Sequence, residues 1–150
     1  MRTYLETTVD KFTFRVATDR LYNAAGVWAK ADGQQITLGV SDFFQQHSGD
    51  VAFAEVLPAG TPLAPGDSFA TIETIKVDID LPSPVTGRVV AANEALEMEA
   101  EVINQDPYGA GWLAVVEATA WAQEQANLMT PEAYFRHMQA EALAETGESS

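Results

Sequence analysis

The chain has 150 residues, of which 47% are hydrophobic and 20% are charged, and its formal net charge is −14. This composition is typical of one globular domain with a hydrophobic core and argues against disorder of the whole chain. The acidic balance argues against nucleic acid as a partner, because phosphate binding needs clustered lysine and arginine, and no apolar run reaches the length that spans a bilayer.

The first third of the chain predicts strands and one short helix. Apolar and polar residues alternate early in the chain, and Asp32-Gly33 is a hairpin turn signal between two further strands. Ser41 is placed to cap a helix, with Asp42 favourably located at its positive end. The predicted elements are strands over residues 12–16, 26–31 and 35–40, and a helix over residues 42–47.

From residue 51 to about residue 117 the pattern is all-β. Short runs rich in β-branched and aromatic residues alternate with turns rich in proline and glycine. Such a pattern favours a barrel or a sandwich over a parallel sheet. The predicted strands cover residues 51–57, 68–73, 77–81, 87–93 and 113–116.

The C-terminal region, residues 118–146, is predicted to be helical. Residues 121–129 indicate a short helix. Thr130 then caps a final helix in which Pro131 takes the first position and which extends to about Ala144.

One apolar face and a loose end are expected in this last helix. The apolar face is predicted to contain Tyr134, Met138 and Leu143. Residues 146–150 are rich in small and polar side chains and are expected to form a frayed tail.

The protein itself supplies little reactive chemistry. Cysteine is absent, and His47 and His137 are the two histidines, both predicted to be solvated helix residues. Most zinc and iron sites need several His or Cys ligands, so no metal site is predicted. No Walker loop or nucleophile elbow is present, and we predict no catalytic residue. The N-terminus lacks the pattern of a signal peptide, so a cytoplasmic location is expected.

Lys76 is the most informative single residue. It is one of three lysines, with Lys11 and Lys30, in a strongly acidic chain. It stands between Ile75 and Val77, with turn-rich segments on both sides. An isolated amine in this setting favours a lysine presented for covalent modification, and a lysine at an ordinary hairpin is the alternative.

Several blocks in one order resemble the lipoyl-bearing H-proteins of the glycine cleavage system and their relatives. The resemblance covers roughly residues 21–140, most of the chain. Glu73-Thr74-Ile75-Lys76-Val77 stands where the family carries Glu-Ser-Val-Lys-Ala. Other matching blocks are Leu38-Gly39-Val40-Ser41-Asp42-Phe43, Pro65-Gly66-Asp67, Ser83-Pro84-Val85-Thr86-Gly87, residues 102–113 and residues 127–134.

The resemblance implies a mainly β fold, a lipoyl-type barrel-sandwich hybrid with a short helix in the N-terminal region and C-terminal helices. It implies that Lys76 carries lipoate in amide linkage on an exposed hairpin and that Glu73 serves recognition by the lipoylation machinery. The protein is then a carrier and not an enzyme. We expect one H-protein-like domain over residues 1–150, with residues 1–20 as an N-terminal extension.

Some positions depart from the pattern of glycine cleavage H-proteins. Gly26-Val27-Trp28 stands in place of the usual His-Glu-Trp, whose acid is thought to hold the amine-loaded arm, and Ile79-Asp80-Leu81-Pro82 in place of Ser-Asp-Leu-Tyr. Apolar residues thus replace polar ones, which resembles the H-like lipoate-binding proteins of sulfur oxidisers. This resemblance implies an arm that shuttles sulfur-bound intermediates with a heterodisulfide-reductase-like complex.

Two alternatives stay open beside that prediction: a glycine cleavage H-protein that shuttles the aminomethyl group, and an unmodified H-like binding module. A biotinyl domain is a weak alternative, because such domains place methionine on both sides of the modified lysine, where this chain has Ile75 and Val77. The other partners that the resemblance implies are lipoate ligase or lipoyl transferase and dihydrolipoamide dehydrogenase.

Overall fold

A computed structural model describes residues 3–148 of the chain, with side chains described as far as residue 145. Within that range the protein forms β-strands, four α-helices and two short 3₁₀ turns. The strands are β1 (Tyr4–Val9), β2 (Phe12–Ala17), β3 (Leu21–Tyr22), β4 (Val27–Asp32), β5 (Gln35–Val40), β6 (Val51–Val56), β7 (Pro62–Leu63), β8 (Ser68–Thr74), β9 (Asp78–Pro82), β10 (Gly87–Ala92) and β11 (Ala114–Ala118). The helices are α1 (Asp42–Ser48), α2 (Val102–Gln105), α3 (Trp121–Glu124) and α4 (Pro131–Glu148).

Three antiparallel sheets make up the β-structure. The large sheet has the order β3-β4-β5-β11-β10-β7, the small sheet has the order β6-β8-β9, and β1 pairs with β2 alone. One apolar core takes residues from both the large and the small sheet, among them Leu38, Ile72 and Val116, all fully buried. The predicted mainly β barrel-sandwich with C-terminal helices is therefore confirmed.

A second core joins the β1–β2 pair, here called the N-terminal hairpin, to the helices. The hairpin contacts both α1 and α4. Phe14 of β2, Phe43 of α1 and Met138 of α4 are all buried in this second core. The N-terminal hairpin is thus packed against the body of the protein by apolar contacts on two helices.

Trp28 is the largest buried side chain, and it lies in the second core. Its indole Nε1 donates to the backbone oxygens of Val40, at 3.0 Å, and of Pro107, at 3.1 Å. Glycine is required at position 39, because a Cβ there would overlap the indole ring. The guanidinium of Arg20 covers the ring at 4.4 Å. The indole N–H of Trp28 is therefore hydrogen-bonded although the ring is buried in the second core.

The predicted helix starts are confirmed by their caps. The hydroxyl of Ser41 accepts a hydrogen bond from the Phe44 N–H at 3.1 Å, at the start of α1. The hydroxyl of Thr130 accepts one from the Ala133 N–H at 3.1 Å, at the start of α4. In both cases the side chain satisfies a backbone donor that has no partner within the helix.

Three predictions about the C-terminal region were wrong. The helix predicted over residues 121–129 stops at Glu124 and continues as a 3₁₀ turn. Leu143 is 53% exposed, and Ala142 is buried in its place. The predicted tail begins too early, since α4 extends to Glu148, and the last two residues lie outside the described part of the chain. Within residues 3–148 no helix has the length and hydropathy needed to cross a bilayer.

Candidate functional site

Lys76 lies at the tip of the hairpin that joins β8 to β9. Three residues connect the two strands, and all three are exposed, Ile75 to 84% and Val77 to 47%. Two apolar side chains therefore flank the lysine in the open, where burial would ordinarily be favoured. The amine is presented on a narrow, largely apolar tip.

Thr74 holds the backbone of this turn. Its buried hydroxyl accepts hydrogen bonds from the N–H groups of Lys76 and Val77, both at 3.2 Å. The same hydroxyl lies 3.1 Å from the Val77 carbonyl and donates to it, and the Thr74 N–H donates to that carbonyl at 2.9 Å. A single side chain thus satisfies the donors of the turn, so the backbone beneath the lysine is fixed.

Replacing Thr74 with valine is expected to lower the free energy of unfolding by about 1 kcal/mol, because valine keeps the shape but loses the hydroxyl contacts. Thr71→Val is the matched control on the same strand, since that hydroxyl donates to the exposed Asp80 carboxylate at 2.8 Å. The control is expected to change stability by less than about 0.5 kcal/mol. Urea unfolding of both variants measures the difference, and equal losses would contradict a special role for Thr74.

Glu73 lies on the same hairpin as Lys76. Its side chain is exposed at the end of β8, and its backbone pairs with Asp78 across the hairpin. Asp80, also exposed, follows on β9. Both residues singled out from the sequence, Lys76 and Glu73, therefore share one hairpin.

Two cavities lie on either side of helix α1. The first, here called the hairpin pocket, has a volume of about 310 Å³, and Lys76 lies in its wall together with residues of the N-terminal hairpin. The second, here called the cleft, has a volume of about 260 Å³. Phe43 and His47 of α1 contribute to both. The cleft is otherwise lined mainly by Ala25, Phe44, Ile79, Tyr134, His137 and Glu141.

One histidine–glutamate contact that involves α4 lies at each cavity. His47 Nδ1 lies 3.2 Å from the Glu145 carboxylate, which joins α1 to the end of α4. His137 Nε2 lies 2.8 Å from Glu141, one turn further along α4. Both histidines were predicted to be solvated, and neither glutamate was singled out from the sequence. The contact between His137 and Glu141 could have been predicted from their i, i+4 spacing in a helix. The contact between α1 and α4 could not, because it depends on the tertiary fold.

The residues that depart from the H-protein pattern do not all lie in the cleft. The side chain of Val27 is fully buried in the main core and is not part of the cleft wall. Ile79 does line the cleft. Pro82 lines a different cavity, near Asn23 and Leu128. Val27 therefore does not contribute to the cleft, because its side chain points into the sandwich.

Comparison with known proteins gives a consistent result. The family described as glycine cleavage H-protein matches residues 20–141. A glycine cleavage system H protein of Rubrobacter xylanophilus is 38% identical over 126 residues, covering 84% of this chain and 97% of that protein. One from Listeria monocytogenes is 43% identical over 110 residues, covering 73% of this chain and 88% of that protein.

A solved structure gives the same result for the fold. The crystal structure of a glycine cleavage system H protein from Mycobacterium marinum matches with a TM-score of 0.69 and 27% sequence identity. The match covers 87% of this chain and 98% of that one. The sandwich that carries Lys76 is therefore similar to a known H-protein over nearly all of its length.

Proposed function

The chain belongs to the glycine cleavage H-protein family, and we propose that Lys76 is the lysine that carries its lipoyl group. Proteins of this family are non-catalytic carriers with lipoate attached covalently to a lysine. The observation that carries the proposal is the exposed position of Lys76 at the tip of the β8–β9 hairpin, inside the matched range. When bound, the dithiolane ring supplies the group-transfer and redox chemistry, and the protein presents it.

The tip of the β8–β9 hairpin suits an amide-linked arm. Amide formation removes the charge of the Lys76 amine, so the neighbouring Ile75 and Val77 then border a neutral group and no ammonium has to be desolvated when the arm enters a partner. The turn fixed by Thr74 gives the arm a rigid base. A flexible arm on a rigid base keeps its end at high effective concentration near the sites of several partners.

We propose that lipoate ligase or lipoyl transferase recognises the side chain of Glu73. Glu73→Gln is expected to slow lipoylation about tenfold, because one charge-assisted hydrogen bond is worth about 1.5–3 kcal/mol. Asp78→Asn removes the same charge from the position directly opposite on β9 and is the matched control. Initial rates of mass gain with purified ligase measure both. Equal slowing in the two variants would assign the effect to net charge and not to Glu73.

The pathway supported best is glycine cleavage. In that pathway the lipoyl arm shuttles the aminomethyl group, and dihydrolipoamide dehydrogenase reoxidises the reduced arm. The relatives reported above support this assignment by their names and their coverage. The cleft supports it too, because the Glu141 carboxylate stands in the wall and suits a cationic amine. The expected cytoplasmic location and the single-domain organisation stay predictions.

Sulfur transfer with a heterodisulfide-reductase-like complex is the second candidate. The observation in its favour is Ile79, which gives the cleft an apolar wall beside Phe44. None of the relatives reported above supports this partner, and Val27, one of the apolar replacements, is buried in the core and does not line the cleft.

A reconstitution assay separates the two pathways. Protein with a lipoyl mass increment is combined with glycine decarboxylase, aminomethyltransferase and dihydrolipoamide dehydrogenase, and glycine-dependent reduction of NAD is followed. Turnover comparable to that with an H-protein of established function supports glycine cleavage. Absence of turnover with fully lipoylated protein would overturn that pathway and favour the sulfur carrier.

A further inference from the structure

The N-terminal hairpin lies outside the region that matches the family. The match begins at residue 20, after the end of β2. The hairpin is nevertheless packed on the protein through Val9 and Phe14, which are buried in the second core. An added element that is held this firmly and reaches the neighbourhood of Lys76 calls for a role of its own.

The hairpin builds one wall of the hairpin pocket. Phe14 packs edge-to-face on Phe43 of α1, with ring centroids 5.3 Å apart. Phe12 stacks on Phe14 at 6.2 Å and is still 54% exposed. The hairpin thus leaves an aromatic surface open in the cavity that Lys76 borders.

Lys76 lines the same cavity. Its Cε lies 3.9 Å from the point that a Cβ on Gly49 would occupy, so the side chain folds back over the end of α1. Lys76 borders the hairpin pocket and is not part of the cleft wall. A group attached to its Nζ therefore starts at the mouth of the hairpin pocket.

We propose that the N-terminal hairpin forms a holding site for the dithiolane ring of the lipoyl group, an inference that rests on the proposed attachment at Lys76. The volume of about 310 Å³ lies within the range of about 300–1,000 Å³ of small-molecule sites. The ring is apolar and carries two sulfur atoms, which make favourable contacts with phenyl edges such as those of Phe12 and Phe14. Gln46 and Glu145 supply polar atoms at the same cavity for the amide of the arm.

This site differs from the cleft. The two cavities share Phe43 and His47 of α1, and none of the residues that line the cleft belongs to the N-terminal hairpin. Each cavity has a histidine–glutamate contact in its wall, and the hairpin pocket differs by containing Lys76 and the aromatic side chains of Phe12 and Phe14. The hairpin pocket accordingly suits the unloaded disulfide ring, and a ring held there is shielded from solvent.

The test uses full-length protein whose lipoylation has been verified by intact mass. The first readout is the backbone amide NMR spectrum before and after lipoylation, with shifts expected at Phe12, Phe14 and His47. The second readout is the rate at which a water-soluble phosphine reduces the ring. Phe12→Ser is expected to raise that rate roughly fivefold, because the ring loses an aromatic contact.

Phe53→Ser is the matched control for the reduction rate. Phe53 is also a half-exposed strand phenylalanine, at 48%, and it lines another cavity near Leu96. Its replacement is expected to leave the rate unchanged.

The outcomes separate this inference from the proposed function. Absence of the lipoyl mass on Lys76 would overturn the attachment itself. Lipoylated protein whose shifts are confined to Ala25, Ile79 and Tyr134 of the cleft, or that shows no shift on β2, would overturn the holding site alone. If Phe12→Ser does not fold, the amide shifts of the unsubstituted protein on lipoylation decide whether the holding site exists. Equal reduction rates for folded Phe12→Ser and Phe53→Ser would also count against the holding site.

Discussion

Lys76→Arg is expected to abolish lipoylation and carrier activity completely while leaving the fold intact. Arginine keeps the positive charge, but its guanidinium stays protonated and cannot act as the nucleophilic amine in amide formation. The side chain is exposed, so the free energy of unfolding is expected to change by less than about 0.5 kcal/mol. Intact mass after incubation with lipoate ligase, and glycine turnover in the reconstituted system, measure the two losses.

Lys11→Arg is the matched control for this substitution. Lys11 is also an exposed lysine at a hairpin tip, between β1 and β2. It therefore differs from Lys76 in its neighbouring residues and not in its exposure. Lys11 follows Asp10, which has a positive φ of 59°, and Thr8 and Val9 stand before it where Glu73 and Thr74 stand before Lys76. The Lys11→Arg protein is expected to gain the lipoyl mass at the normal rate.

The result of this pair of variants decides between a carrier and an unmodified module. A lipoyl increment that persists in Lys76→Arg but disappears in Lys11→Arg would move the attachment site to the other hairpin. Lys76→Arg protein that still supports glycine turnover would show that the arm is not needed. Loss confined to Lys76→Arg is the outcome expected for a carrier whose chemistry resides on the lipoyl group.

Local signals in the sequence were sufficient to predict two helix caps and the hairpin that carries Lys76. The caps at Ser41 and Thr130 and the hairpin around Lys76 depend on residues close to one another in the chain, and all three were predicted. In each case the backbone donors are satisfied by a side chain within three residues, so no distant contact is required.

Elements that depend on distant contacts were missed. β1 has weak alternation and was not predicted, because its order comes from pairing with β2 and from packing on α4. The buried face of α4 follows the spacing i, i+4, i+8 through Tyr134, Met138 and Ala142, and hydrophobicity alone wrongly favoured Leu143. The hairpin pocket unites β1, β2, α1 and α4, so no single segment could indicate it.

Alkaline pH is expected to unfold this protein steeply, because three tyrosines are buried together. Burial raises the pKa of Tyr108 to about 12, and burial likewise raises the pKa values of Tyr22 and Tyr134. The rings of Tyr22 and Tyr134 stack at 4.5 Å. Their ordinary pKa is near 10, so the unfolded chain loses protons above about pH 10 while the folded protein retains them.

The sign of the effect follows from this difference. The stabilising contribution of each neutral tyrosine is complete below about pH 10 and is lost as the pH rises towards the pKa of the folded state. In that window, each tyrosine that is ionised only in the unfolded chain lowers the free energy of unfolding by about 1.4 kcal/mol per pH unit. Three such tyrosines give a slope of about 4 kcal/mol per pH unit. Urea unfolding at pH values from 8 to about 12 measures the slope. A free energy of unfolding that does not change above pH 10 would contradict the burial of these three tyrosines.

Tyr134→Phe tests the cluster one group at a time. The variant loses the 2.7 Å hydrogen bond to the Ser41 hydroxyl, so it is less stable at pH 8, but its slope above pH 10 is expected to fall by about a third. Tyr22 and Tyr108 donate to the carbonyls of Ala17 and Arg15 at 2.7 Å, both on β2. Ionisation would turn each donor into an anion facing a carbonyl oxygen. The N-terminal hairpin is therefore expected to detach first, and amide exchange in β2 should rise before exchange in β8.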